Sequence, residues 1–116
     1  MDIYHIWFNL KEGVHDLELA DAVKAYLDHL KERGLIAAYR ITRRKLGLGH
    51  PNLPQWQITL DFEDMSQMDR AFDRVATRTD PVESFHQAVN SKVRDIFFML
   101  YRDFPDPQRA RGEEKF

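Results

Sequence analysis

The sequence predicts an α+β fold with the order β-α-β-β-α-(α)-β, and three observations predict it. Four stretches are rich in aliphatic and aromatic residues over strand-like lengths, the clearest alternating strictly between apolar and polar. Between them, apolar residues recur every three or four positions behind recognisable helix starts. The glycines and prolines fall at the joints rather than inside these stretches.

The first strand covers about residues 2 to 10, within which IYHIWFNL is apolar on nearly every position. Lys11-Glu12-Gly13 breaks it. Asp16 is a good N-cap, since its carboxylate can accept the free amide hydrogens of a first turn. Leu19, Val23, Tyr26, Leu27 and Leu30 then make one helical face, and Gly34 stands where a left-handed residue would end it. Leu35 to Leu46 reads as the second strand, closing in the basic run Arg43-Arg44-Lys45, and GLGHPNLP at 47–54 is a loop.

Gln55 to Phe62 is the cleanest strand: Trp56, Ile58, Leu60 and Phe62 face one way, Gln55, Gln57, Thr59 and Asp61 the other. Asp64 and Gln67 have capping-box spacing, and Met65, Met68, Phe72 and Val75 share a face of the helix they open. Asp80-Pro81-Val82-Glu83 is a second start signal, with proline at the first helical position and an acid at the third. That short helix turns Val82, Phe85 and Val89 inward and feeds a last strand from about Val93 to Arg102. This order is the split βαβ, or ferredoxin-like, arrangement: a four-stranded antiparallel sheet with its helices on one face.

At 116 residues, 43% hydrophobic and 31% charged, the chain suits one globular domain with a modest core. We assign residues 1–105 to it and 106–116 to a polar tail. A net charge of −2 gives no strong field for a nucleic-acid backbone. The absence of cysteine excludes disulfides, thiolate metal sites and thiol nucleophiles. Asp2 and the lack of a long apolar run argue against a signal peptide, and Ile96 to Tyr101 is far too short to cross a bilayer. A cytoplasmic protein without membrane or nucleic-acid partners is expected.

Helices on one face leave the other face of the sheet open, and that face should be polar in a monomer. Taking Tyr39, Trp56, Ile58 and Leu60 as the helix side puts Arg40, Thr42, Gln57 and Thr59 on the open side. The first and last strands, read as the outer two, are apolar in both parities. The choice is between Tyr4, Ile6, Phe8 and Ile3, His5, Trp7 on one, and between Ile96, Phe98, Leu100 and Phe97, Met99, Tyr101 on the other. Either choice leaves large apolar groups uncovered, each gaining ~1.5–3 kcal/mol on burial. Two sheets packed face to face about a twofold axis, a homodimer, are expected.

MDIYHIWFNLKEG, with its early histidine among aliphatic residues, resembles the opening strand of the dimeric α+β barrel superfamily, and of the stress-responsive A/B barrel proteins within it. ITLDFEDMSQMDRAF resembles that family's third strand and following helix, and DPVESFHQAVNSKVRDIFFMLYRDFP its short proline-started helix and last strand. The layout also looks like an uncharacterised bacterial branch of the superfamily. The resemblance implies homodimers. For a few relatives it implies cofactor-free cyclisation, isomerisation or oxygenation of hydrophobic, often aromatic, compounds. In cyclase-like members a first-strand histidine faces a pocket between sheet and helices, beside a second histidine in an HPxH stretch. His5 matches the first; the second stretch reads Asp80-Pro81-Val82-Glu83 here, so Glu83 stands where that base is expected.

The candidate proton-transfer residues are therefore His5, Glu83 and His86, the last one turn beyond Glu83 and near the inward face. Trp7, Tyr26, Tyr39 and Trp56 could line a pocket for a flat apolar ligand. Each also has a plain structural reading: His5 as a hydrogen-bonded core or interface histidine, Glu83 as a helix-start acid, the aromatics as core. His15, His29 and His50 have no metal-ligand spacing, and no metal or cofactor is expected. Arg43-Arg44-Lys45 reads as a solvated hairpin tip, and GLG lacks the lysine and helix of a phosphate loop. A dimer binding a small hydrophobic molecule between sheet and helices leads. A cofactor-independent oxygenase, cyclase or isomerase and a purely structural or interaction dimer are the alternatives.

Overall fold

The computed structural model describes residues 1–112; the end of the expected tail, 113–116, lies outside the described residues. The chain runs β1 (Asp2–Leu10), α1 (Asp16–Glu32), β2 (Ala38–Arg43), β3 (Trp56–Phe62), α2 (Met65–Ala76), α3 (Val82–Asn90) and β4 (Val93–Arg102). The strands form one antiparallel sheet in the order β2-β3-β1-β4. This is the ferredoxin-like α+β arrangement expected. One expectation is corrected: β1 is an inner strand, hydrogen-bonded to β3 on one side and β4 on the other, so the edges are β2 and β4.

The register fixes which side each residue takes. Tyr39, Leu60, Tyr4 and Leu100 form one row across the sheet, and Ile41, Ile58, Ile6 and Phe98 the next. These rows face the helices, where Leu19, Val23, Leu27 and Leu30 of α1 and Met68 and Ala71 of α2 close the core over Phe8, Ile58 and Phe62. Phe8 and Phe62 are among the most deeply buried side chains. The β1–β4 register shifts between Trp7 and Asn9, where Asp95 takes a positive φ of 56° and is held by Asn9 Nδ2 at 3.2 Å. This bulge restores the alternation, so that Ile96 and Phe98 join the helix side and Phe97 the open side.

Local chemistry explains the helix ends. Asp64 caps α2 by accepting from the Gln67 amide at 2.8 Å, and the Gln67 side chain, buried itself, accepts from Glu63 N at 2.8 Å. Gln67 Nε2 also donates to Gly34 O at 3.0 Å, tying the start of α2 to the turn that ends α1. Gly34 takes the left-handed φ of +70°. At the start of α1, His15 is the N-cap and makes no side-chain bond, while Asp16 lies inside the first turn. Met65, expected inward, is more than half exposed.

The second strand is shorter than its sequence. Ile36 is buried and Ala37 N bonds Asp61 O at 2.8 Å before the ladder proper begins at Ala38. Beyond Arg43 the chain leaves the sheet as the expected loop. Arg44 organises it, its guanidinium donating to His50 O at 3.1 Å and Leu53 O at 2.7 Å. Gly49 lies against that guanidinium, where a Cβ would collide with it.

Candidate functional site

Between the sheet and the three helices lies an apolar cleft of about 360 Å³. Tyr4, Ile6, Ile58 and Leu60 form its floor; Tyr26, Leu27 and Leu30 of α1 one wall; Phe72 and Val75 of α2 and Val89 of α3 the others. The mouth lies toward β4, because α2 and α3 do not reach across the strand. Phe98, on the helix side, is 61% exposed, and Phe72 is 44% exposed. Tyr4 joins them, its ring parallel to Phe98 at 5.8 Å and edge-on to Phe72 at 5.4 Å.

Polar groups in this lining are few: the phenols of Tyr4 and Tyr26, the His86 imidazole and the Asn90 amide. The Tyr26 ring meets His86 edge-on at 5.9 Å. Burial, reinforced by the negative charge of Glu83, pushes the Tyr26 phenol up to about 12, and burial also raises Tyr4. Both phenols therefore stay protonated at neutral pH and can donate a hydrogen bond. Among the described residues no three His, Asp or Glu side chains come together in a way that could hold a metal ion.

The candidate residues separate by face. Tyr26 and His86 line the cleft. His5 does not: alternation along β1 turns Tyr4 and Ile6 to the helices and His5 to the open face, beside Thr59 and Met99. There Nδ1 lies 2.6 Å from Gln57 Nε2, and the ring meets Tyr101 edge-on at 4.9 Å. The sheet thus stands between His5 and both Glu83 and His86, and the expected acid–base pairing is corrected. Glu83 is half-buried at the start of α3, outside the cleft wall, and accepts from Gln87 Nε2 at 2.9 Å.

Three aromatics also fall elsewhere. Trp7 shares the open face with His5 and borders a smaller cavity of about 230 Å³ under the β2–β3 loop. Its Nε1 is the one buried side-chain polar atom without a partner among the described residues. Tyr39 donates to Asp28 Oδ1 at 2.7 Å across the α1–β2 margin. Trp56 is core, stacked near Phe8 at 6.1 Å with the Arg43 guanidinium 5.1 Å from its ring centroid. Sequence reasoning missed Tyr4, Phe98 and Asn90 as lining residues. Tyr4 takes the helix side through its pairing with Leu60, a non-local register that the apolar run of β1 does not reveal.

The open face carries Ile3, His5 and Trp7 of β1 and Phe97, Met99 and Tyr101 of β4 beside Arg40, Thr42, Gln57, Thr59 and Asp61. Phe97 is 45% and Tyr101 60% exposed. No described helix is long and apolar enough to cross a membrane.

All 116 residues match a family described as "Family of unknown function (DUF6614)". The chain belongs to that family. No curated protein matches it in sequence. Among solved structures, it is similar to an Arabidopsis thaliana protein at TM-score 0.70 and 10% identity, over 89% of this chain and 95% of that one. It is also similar to a dimeric ferredoxin-like protein of unknown function from Jannaschia sp. CCS1, at TM-score 0.64 and 12% identity, over 89% of this chain and all of the other. A hydroxynitrile lyase from Passiflora edulis aligns at TM-score 0.60 and 12% identity, over 91% and 97% of the two chains. At such identities the DUF6614 chain shares a fold with these proteins and nothing finer.

Proposed function

We propose that the protein is a homodimer, joined through the open faces of its sheets, that binds a small, flat, apolar molecule in the cleft between sheet and helices. One observation carries the binding reading. The cleft of about 360 Å³ is walled by aliphatic and aromatic side chains and holds two protonated phenols, an imidazole and an amide for which no hydrogen bond within the described residues accounts. Such a site suits a largely apolar ligand with one or two oxygen acceptors. Binding is preferred to proton-transfer catalysis because the lining holds a single imidazole and no carboxylate, with His5 across the sheet.

The dimer reading rests on the open face. Uncovered aromatic residues at the β4 edge continue a patch across β1, larger than water-facing sheets usually carry. A second copy is the occupant that fits, because the same face is apolar at β4 and polar at β2 and can offer both to itself. The dimeric solved structure of the same fold is consistent with this.

A titration with 2-naphthol, followed by amide chemical shifts, tests the cleft. Shifts are expected at Tyr26, Leu30, Ala71, Val75 and Val89 and not on the open face. Val89→Trp, which fills the cleft from α3, should abolish them. Shifts confined to the open face, or retained in Val89→Trp, refute the site.

A further inference from the structure

We propose that His5 makes the pairing of two copies of this chain sensitive to pH, so that the dimer holds near neutrality and separates in mild acid. The inference rests on the homodimer proposed above and deepens it.

The open face is built of three cross-strand rows: Ala38–Asp61–Ile3–Tyr101, Arg40–Thr59–His5–Met99 and Thr42–Gln57–Trp7–Phe97. The middle row crosses the two inner strands at Thr59 and His5, which makes them the centre of the face. A twofold axis through that centre can run along the strands or across them. In the first case His5 meets the partner's Thr59, in the second the partner's His5. Either way its ring loses its remaining water on pairing.

The ring is set up to be neutral there. Gln57 presents its amide nitrogen to His5 Nδ1 at 2.6 Å, with its Oε1 on the side of the Thr42 hydroxyl, 3.5 Å away. An amide N–H donates, so Nδ1 accepts and carries no proton. Protonating the ring would set two donors against each other in a water-free seam and bury a charge.

The other groups facing His5 do not offset this. Asp61 of β3, one row away, favours the charged ring, whereas Arg40 of β2 stands in the same row two strands away, where a like charge cannot favour it. β4 contributes Met99 and Tyr101, and β1 itself contributes Ile3 and Trp7. Arg94 stands at the far end of the face beside Asp95, and His50 borders the cavity next to Trp7. Already in one protomer, burial lowers His5 below its ordinary 6.5, with Asp61 acting against the shift. Pairing extends the same desolvation.

The sign follows from proton counting. Separated protomers take up protons on His5 that the dimer does not, two per dimer, so the assembly is strongest above the free protomer's pKa and weakens as pH falls through it. The limiting slope is ~100-fold in Kd per pH unit.

Sedimentation equilibrium of the full chain at about pH 7.5 and about pH 5.5 tests this. In the unsubstituted protein Kd is expected to rise several-fold or more at the lower pH, with the two-proton slope as the limit. In His5→Asn, whose side-chain oxygen can still accept from Gln57 but cannot charge, Kd should not change. In His50→Gln the dependence should persist. A dimer with equal Kd at both pH values, or a dependence retained in His5→Asn, overturns the inference and leaves the dimer standing. A monomer at neutral pH overturns the dimer itself, and the inference with it. Proton NMR of the His5 ring provides the measurement without substitution: its pKa should be lower in concentrated than in dilute protein, and equal values overturn the inference.

Discussion

Phe97 offers the most direct test of how two copies would meet. It stands on the open face, paired with Trp7, and 45% of its surface is exposed in one protomer. A phenylalanine carries about 200 Å² of surface, so roughly 90 Å² remains to be covered on pairing. At ~25 cal/mol per Å² this is about 2.2 kcal/mol, and twofold symmetry doubles it to about 4.5 kcal/mol. Phe97→Ser should therefore weaken the dimer by ~10³-fold. Sedimentation equilibrium reads that change, and far-ultraviolet circular dichroism checks that the protomer remains folded. Leu17→Ser is the control, since Leu17 is 74% exposed on α1, on the helix side of the sheet. A Phe97→Ser protein that retains the original Kd, or a Leu17→Ser protein whose dimer is weakened as much, refutes pairing through the open face.

Three further outcomes follow from the protomer alone. Gln67→Ala removes two part-buried side-chain hydrogen bonds, to Glu63 N and Gly34 O; it should cost ~1–2 kcal/mol, seen as a fall in Tm of roughly 4–8 °C. Gly49→Ala should push the Arg44 guanidinium off His50 O and Leu53 O, loosening the β2–β3 loop. Faster amide exchange at residues 44–55 would report it, at a cost of about 1–2 kcal/mol in urea unfolding. Tyr26, held up to about 12 against an ordinary 10.0, keeps its proton in the folded protein after the unfolded chain has lost it. Stability should therefore fall as pH rises from 10 toward 12, and Tyr26→Phe should flatten that fall in urea melts across the range; Tyr39, raised to about 12 by burial and its bond to Asp28, leaves a residual slope.

The fold was legible because the strongest signals were local. Strict alternation from Gln55 to Phe62, the capping spacing of Asp64 and Gln67, and Gly34 at a helix end each predict an element without reference to the rest of the chain. The cleft was less legible, because it depends on which side of β1 faces the helices. Both parities of that strand are apolar, so hydrophobicity cannot choose. The choice is made by hydrogen-bonded register, Tyr4 against Leu60 and His5 against Thr59. The same non-local information places β1 inside the sheet and sends Trp7 to the open face. The bulge at Asp95 is a further case: nothing in VRDIFFMLYR announces a left-handed residue at an aspartate.

Alternation along β1 has a consequence for how this scaffold could change its chemistry. Residues 4 and 5 are neighbours in the chain, yet one looks into a greasy hollow and the other onto the open face of the sheet. Transposing them, tyrosine for histidine, would install a basic nitrogen over the hollow and remove the imidazole from the open face, with no strand shifted. Two adjacent codons thus separate a phenol-lined receptacle from one equipped to move protons.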